Sequence, residues 1–99
     1  LGYLLAVSNL KKAENGYSFL ITNYGLNAPR CFSFFIVTAE GEKALDFSID
    51  ALAQFGQKEF SVETGGNFLA LKIKHKNCER FIKLANDIPF ENGENIICR

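Results

Sequence analysis

The chain has 99 residues, with eleven Lys and Arg against eleven Asp and Glu, so its formal net charge is zero. That length holds one hydrophobic core and not two, and 47% hydrophobic against 22% charged residues excludes intrinsic disorder. No apolar run approaches the roughly 18–20 residues of a membrane span, and the lack of a basic excess removes the electrostatic footprint of a general nucleic-acid binder.

In chain order, a weak strand pattern opens at Leu4 to Leu10 and is cut by Asn15-Gly16. Tyr17 to Thr22 follows as a strand with Tyr17, Phe19 and Ile21 on one face, since side chains on a strand alternate between its two sides. Asn23-Tyr24-Gly25 through Pro29 is a separator built from turn residues. Cys31 to Thr38 is a strand that is apolar on both faces towards its middle. After Glu40-Gly41-Glu42 comes the cleanest alternation of all, Leu45-Asp46-Phe47-Ser48-Ile49-Asp50, read as a half-buried strand. Phe55-Gly56-Gln57 separates it from Lys58 to Glu63, and Thr64-Gly65-Gly66-Asn67 precedes Leu69 to Lys76, which sends Leu69, Leu71 and Ile73 inward. Asn77 to Gly93 is too long for a hairpin loop, and Phe81, Leu84 and Ala85 recur there at helical spacing, which predicts a short helix around 79–86. A last weak strand runs from Asn95 to Cys98.

About seven short strands with no long helical period indicate an all-β antiparallel sandwich. Its expected core is Tyr17, Phe19, Ile21, Phe32, Phe34, Ile36, Leu45, Phe47, Ile49, Phe60, Val62, Leu69, Leu71 and Ile73. Residues 1–99 form a single domain. The chain has no Met and begins Leu1-Gly2-Tyr3, so it reads as a module cut from a longer protein.

Chemistry-bearing patterns are sparse. There is no Gly-x-Ser-x-Gly and no phosphate-loop glycine pattern. His75 ends a strand and is expected at the edge of the core rather than in catalysis. Aligning residues 87–94 with a calcium loop puts Ile88 where an acid is required, so neither a metal nor another cofactor is expected. Cys31, Cys78 and Cys98 lack metal-site spacing and are compatible with three thiols or with one disulfide and a thiol. The more informative feature is a strand with Phe32, Phe34 and Ile36 inward and Phe35 and Val37 outward. Those two share a sheet face with Lys72, Lys74 and Lys76, and this set is the candidate interaction surface. An apolar outer face needs cover. Either Phe81, Ile82 and Leu84 fold back over Phe35 and Val37, or a partner does.

Taken together, Phe19 to Gly25, Phe32 to Val37, Glu40-Gly41-Glu42, Leu52 to Gln57 and Glu91 to Ile96 resemble the CARDB family, the cell-adhesion-related immunoglobulin-like modules of bacteria. The resemblance implies an immunoglobulin-like sandwich and a non-catalytic interaction or spacer module of a larger exported protein, extracellular or periplasmic. Its partner would be a protein or a neighbouring domain of the same chain. In such a strand order the Cys31 and Leu69 strands are antiparallel neighbours, which implies Cys31 near Cys78 and a disulfide between them, free thiols being the alternative.

A second stretch, Asn15-Gly16-Tyr17-Ser18-Phe19-Leu20, resembles the first RNA-binding motif of cold-shock domains. It implies single-strand binding on an exposed aromatic platform. Against it, the matching second motif is missing and the net charge is zero, so no nucleic acid is expected. An accessory domain of a larger enzyme is the third reading.

Overall fold

The computed structural model describes residues 4–46, 48–76 and 80–98. Among them run eight strands: β1 Leu5–Ala13, β2 Gly16–Asn23, β3 Phe32–Thr38, β4 Gly41–Leu45, β5 Gln57–Glu63, β6 Phe68–His75, β7 Phe90–Glu91 and β8 Glu94–Ile96. They form two antiparallel sheets, ordered β1-β2-β5 and β4-β3-β6-β8-β7. This is an immunoglobulin-like order in which the fourth strand lies beside the third instead of the fifth.

Alternation builds the core. Phe19 and Ile21 from β2, and Phe60 and Val62 from β5, face Phe32, Phe34 and Ile36 from β3 and Leu71 and Ile73 from β6. Leu5 and Val7 extend this core along β1, and Tyr17 and Leu45 pack against it only half-buried. Phe47 lies outside the described residues.

Three local expectations are corrected. The alternating stretch Leu45 to Asp50 is not a strand: β4 ends at Leu45, and the chain then turns so that Ile49 alone of the described residues 46–50 is buried. Side-chain anchors hold that turn, with Asp50 Oδ1 accepting from the Cys31 amide at 3.0 Å and the Ser48 carbonyl accepting from Lys58 Nζ at 2.8 Å. Leu69 is not an inward residue either. β6 is bulged there, because Val37 pairs with Ala70 but Thr38 with Phe68. Phe68 takes the inward place, meeting Tyr17 and Phe19 edge-on at 5.8 Å each. The Leu69 carbonyl is thereby left to accept from the amides of Ile97 and Cys98, at 2.8 and 3.0 Å.

The third correction concerns the helix around 79–86. No helix occurs among the described residues; residues 80–89 form an irregular strap across the open side of the sandwich. Backbone groups from Phe81 to Ala85 are drawn to partners outside the segment, which removes the hydrogen bonds a helix would need. Phe81 bridges to Lys74 of β6, the Ile82 amide donates to the Ile73 carbonyl at 2.8 Å, and the Ala85 amide donates to the Leu5 carbonyl at 2.7 Å. Asn86 finishes the crossing with its side chain, accepting from the Val7 amide and donating to the Val7 carbonyl, both at 2.8 Å. Leu84 is inserted between the sheets. The strap ends in the β7–β8 hairpin, whose Asn92-Gly93 pair has φ of 53° and 78°, the backbone that a two-residue type I′ turn demands. Gly93 is doubly required, since a Cβ there would run into the Phe81 ring.

Asn95, fully buried on β8, locks the strap in place. Its Nδ2 donates to the carbonyls of Leu71 and Ile82, each at 3.0 Å, and its Oδ1 accepts from the Leu84 amide at 2.7 Å. Replacing it by an apolar side chain of similar size orphans three buried backbone groups, and an unsatisfied buried group costs about 1–3 kcal/mol. Asn95→Leu is therefore expected to lower unfolding free energy by about 3 kcal/mol or more, read as a shifted urea midpoint at unchanged slope.

Candidate functional site

The outer face of the five-stranded sheet carries the residues singled out as an interaction surface. Phe35 pairs with Lys72 and Val37 with Ala70, so the aromatic and the lysine do share one face. Phe35, Val37, Lys72 and Lys74 are half-buried and Lys76 is exposed. Lys72 is already engaged: its Nζ lies 3.0 Å from Glu42 Oε2, across β3, and 4.7 Å from the centre of the Phe81 ring. The strap does not fold back as a unit. Phe81 alone of its three apolar residues lies over this face, while Ile82 packs against the core cluster and Leu84 enters it.

His75 is half-buried with its ring edge-on to Phe32 at 5.4 Å, at the margin of the core. Cys31 carries an exposed thiol. β3 and β6 are antiparallel neighbours as the immunoglobulin-like order requires, and the Lys76 amide donates to the Cys31 carbonyl at 2.8 Å. Cys78 lies outside the described residues, and the Cys31–Cys78 pair with it. The aromatics of the cold-shock-like stretch do not form a platform: Phe19 is buried in the core, as is Phe60, and Tyr17 is half-buried.

At one end of the sandwich, the β1–β2, β3–β4 and β5–β6 turns enclose an open cleft of about 690 Å³. Its rim carries Lys12, Glu14, Glu40, Lys43 and Glu63, and Lys43 Nζ is spent on the Glu63 carbonyl at 2.9 Å. Mixed charge on a polar rim lacks the apolar lining typical of a small-molecule pocket.

The opposite end is different in kind. There the 24–31 loop and residues 48–56 meet, and they expose Leu26 (82%), Phe55 (68%) and Tyr24 (46%), with Leu4 (49%) beside them. Tyr24 and Phe55 touch edge to face, 6.3 Å between ring centres, and the Tyr24 amide donates to the Leu4 carbonyl at 2.7 Å. Residues 4–10, 15–29 and 51–57 contain no charged side chain. The apolar side chains are thus flanked by charge only at Arg30, Asp46 and Asp50 of the same loops.

Asn23 builds this end. Its Oδ1 accepts from the Gly25 amide at 2.9 Å, and its Nδ2 donates to the carbonyls of Asn27 at 3.1 Å and Leu52 at 2.9 Å. Its own backbone continues the work, the amide donating to the Gly56 carbonyl at 3.1 Å and the carbonyl accepting from the Phe55 amide at 2.5 Å. Gln54 Nε2 adds a bond to the Tyr24 carbonyl at 3.3 Å. Held this way, Phe55 adopts φ of 67° and Ala51, nearby, 63°. Left-handed backbone costs a residue with a Cβ roughly 1–2 kcal/mol, and such strain persists where surrounding contacts over-determine it. The energy is spent on showing an aromatic ring to water.

Sequence reasoning assigned Tyr24, Leu26 and Phe55 to separators, because Asn and Gly around them mark turns. The signal there is three large side chains, Tyr24, Leu26 and Phe55, set inside turn chemistry.

Two substitutions separate scaffold from display. Asn23→Ala is expected to cost about 2–4 kcal/mol, since buried backbone partners lose their bonds. Phe55→Gly is expected to raise stability by up to about 1 kcal/mol, since glycine adopts φ of 67° without strain. Thermal and urea unfolding of both variants reads the two opposite signs.

Comparison with known proteins finds no match: no family model, no curated protein and no solved structure is similar to the chain.

Proposed function

We propose that this domain is a non-catalytic protein-interaction module of a larger exported or cell-surface protein, and that it engages its partner through the loop end carrying Tyr24, Leu26 and Phe55. The observation that carries this reading is the strained, solvent-facing Phe55. A domain selected only for stability gains from glycine there, and gains again from polar residues at positions 24 and 26. Large exposed apolar side chains clustered within a polar rim mark contact sites, and aromatic residues are the usual anchors of interfaces.

The sandwich supports the same reading. In immunoglobulin-like domains the loops at one end serve recognition while the sheets hold them still. Here Asn23 couples two such loops rigidly, so little ordering entropy is lost on binding. The Thr22-Asn23-Tyr24-Gly25 turn, one of the elements that resemble CARDB modules, does the coupling. Fold likeness by itself is a weak guide to function, and the patch is the stronger support.

The alternative of single-strand binding has no exposed aromatic platform on β2 and β5 to carry it, since Phe19 and Phe60 face the core. An accessory role in a larger enzyme uses the same surface, with a neighbouring domain as the partner.

Leu26→Ser and Phe55→Ser together are expected to keep the fold, shifting Tm by no more than a few degrees. They are expected to abolish retention of the partner by the immobilised domain. Lys76→Glu on the outer sheet face is expected to leave retention intact. Equal retention by all three proteins would remove the loop end as the binding surface.

A further inference from the structure

Asparagine followed by glycine occurs at Asn15-Gly16 and again at Asn92-Gly93. Such a pair carries its own chemistry. The glycine amide nitrogen attacks the asparagine Cγ, and the bond from Cγ to Nδ2 breaks. The side-chain nitrogen leaves as ammonia, taking the glycine amide proton, and a succinimide ring closes. Water then opens the ring at either carbonyl, giving aspartate or isoaspartate, with nothing oxidised or reduced. Glycine favours the reaction because it has no Cβ to obstruct the attack or restrict the backbone. The peptide unit between the two residues must rotate, so whatever holds that unit decides whether the reaction proceeds.

At Asn15-Gly16 the unit is held from both sides. Gly16 is buried and paired with Ala13 of β1 and Glu63 of β5, and the Asn15 carbonyl accepts from the Thr64 amide at 3.0 Å. The hairpin around it joins strands of nine and eight residues. Asn92-Gly93 is the opposite case. Asn92 is exposed, and the Gly93 amide has no hydrogen-bond partner among the described residues. Only the pairs Phe90–Asn95 and Glu91–Glu94 close this hairpin, and β7 is a two-residue strand at the edge of its sheet. Local opening there breaks very few bonds.

We propose that Asn92 is a site of spontaneous deamidation, and that isoaspartate at this position loosens the strap. Isoaspartate routes the main chain through Cγ and lengthens the turn by one atom, which a two-residue type I′ turn does not accommodate. The Phe81 ring packs directly on Gly93, where a Cβ would come within 2.8 Å of it, so a shifted Gly93 disturbs the start of the strap. The new carboxylate also stands between Glu91 and Glu94, which face each other across the hairpin, and like charges so placed are destabilising. Asn95, the lock on the strap, comes next after Glu94 on the same three-residue strand.

Incubation of the domain in mildly alkaline buffer, followed by peptide mapping, tests the assignment. A mass gain of one dalton is expected at Asn92, with isoaspartate as the main product. It is expected to form at least about tenfold faster than at Asn15, where opening must break further hydrogen bonds worth about 1 kcal/mol each. Over the same incubation the urea midpoint of the wild type is expected to fall. Amide exchange is expected to quicken at Ile82, Leu84 and Ala85 while β2 and β3 stay protected. Asn92→Gly keeps the positive φ without the reacting amide, and is expected to hold both its midpoint and its exchange pattern. An unmodified Asn92, or an Asn15 that reacts as fast, overturns the site. Isoaspartate at Asn92 with unchanged midpoint and unchanged exchange at Ile82, Leu84 and Ala85 overturns the loosening of the strap.

Discussion

The buried amide of Asn23 is the constraint on which the functional end of the molecule depends. An amide with no exposure must find partners for both its oxygen and its nitrogen, and Asn23 finds them at three backbone groups in two different stretches. Those stretches belong to two loops that are far apart in sequence and otherwise lack regular pairing. A serine or an aspartate in this place would satisfy one of them and leave the other to wander. The asparagine, with one acceptor and two donors on a short arm, reaches all of them from the last position of β2. The orientation of Tyr24 and the backbone twist of Phe55 follow from it.

The same device recurs where the two sheets must be joined. Strand pairing holds each sheet together but does nothing across the gap between them. On one side, Asn95 and Asn86 tie the 80–89 strap to β6 and to β1. On the other, Lys43 reaches the Glu63 carbonyl on β5, and Lys58 of β5 reaches back to the Ser48 carbonyl. Among the described residues no buried side-chain nitrogen or oxygen lacks a partner. The rims of the sandwich are therefore closed by side chains bonding to backbone, which leaves the strand edges of β4 and β5 short or charged. Charged edges discourage indiscriminate sheet extension.

Much of this was legible in the sequence, and the failures have physical causes. The two-residue period marks β2, β3, β5 and β6 because each buries one face and wets the other. The same period misleads at Leu45 to Asp50, where anchoring of alternate residues comes from a turn fastened by Asp50 and by the Ser48 carbonyl. At Leu69 a bulge shifts the phase by one, and no pattern in a single strand reveals that its partner is one residue short. Helical spacing around Phe81 came from a strap that sends one side chain to the outer face and another into the core. The loop end escaped notice for a different reason. Its residues were sorted by the turns they make, whereas its meaning lies in the solvation that those turns fail to receive.

One consequence follows from the Asn86 amide standing in for a strand beside Val7. The two residues are separated by 79 positions, nearly the full length of the chain, and Ala85 bonds to Leu5 beside them. Contacts of such long range form late and slowly, because the loop they close must be ordered first. During synthesis the first strand therefore emerges without its outer neighbour, and its edge stays open until residues 80–89 have left the ribosome. An unpaired strand edge is the kind of surface on which aggregation begins, a vulnerability of the nascent chain that the finished sandwich no longer shows.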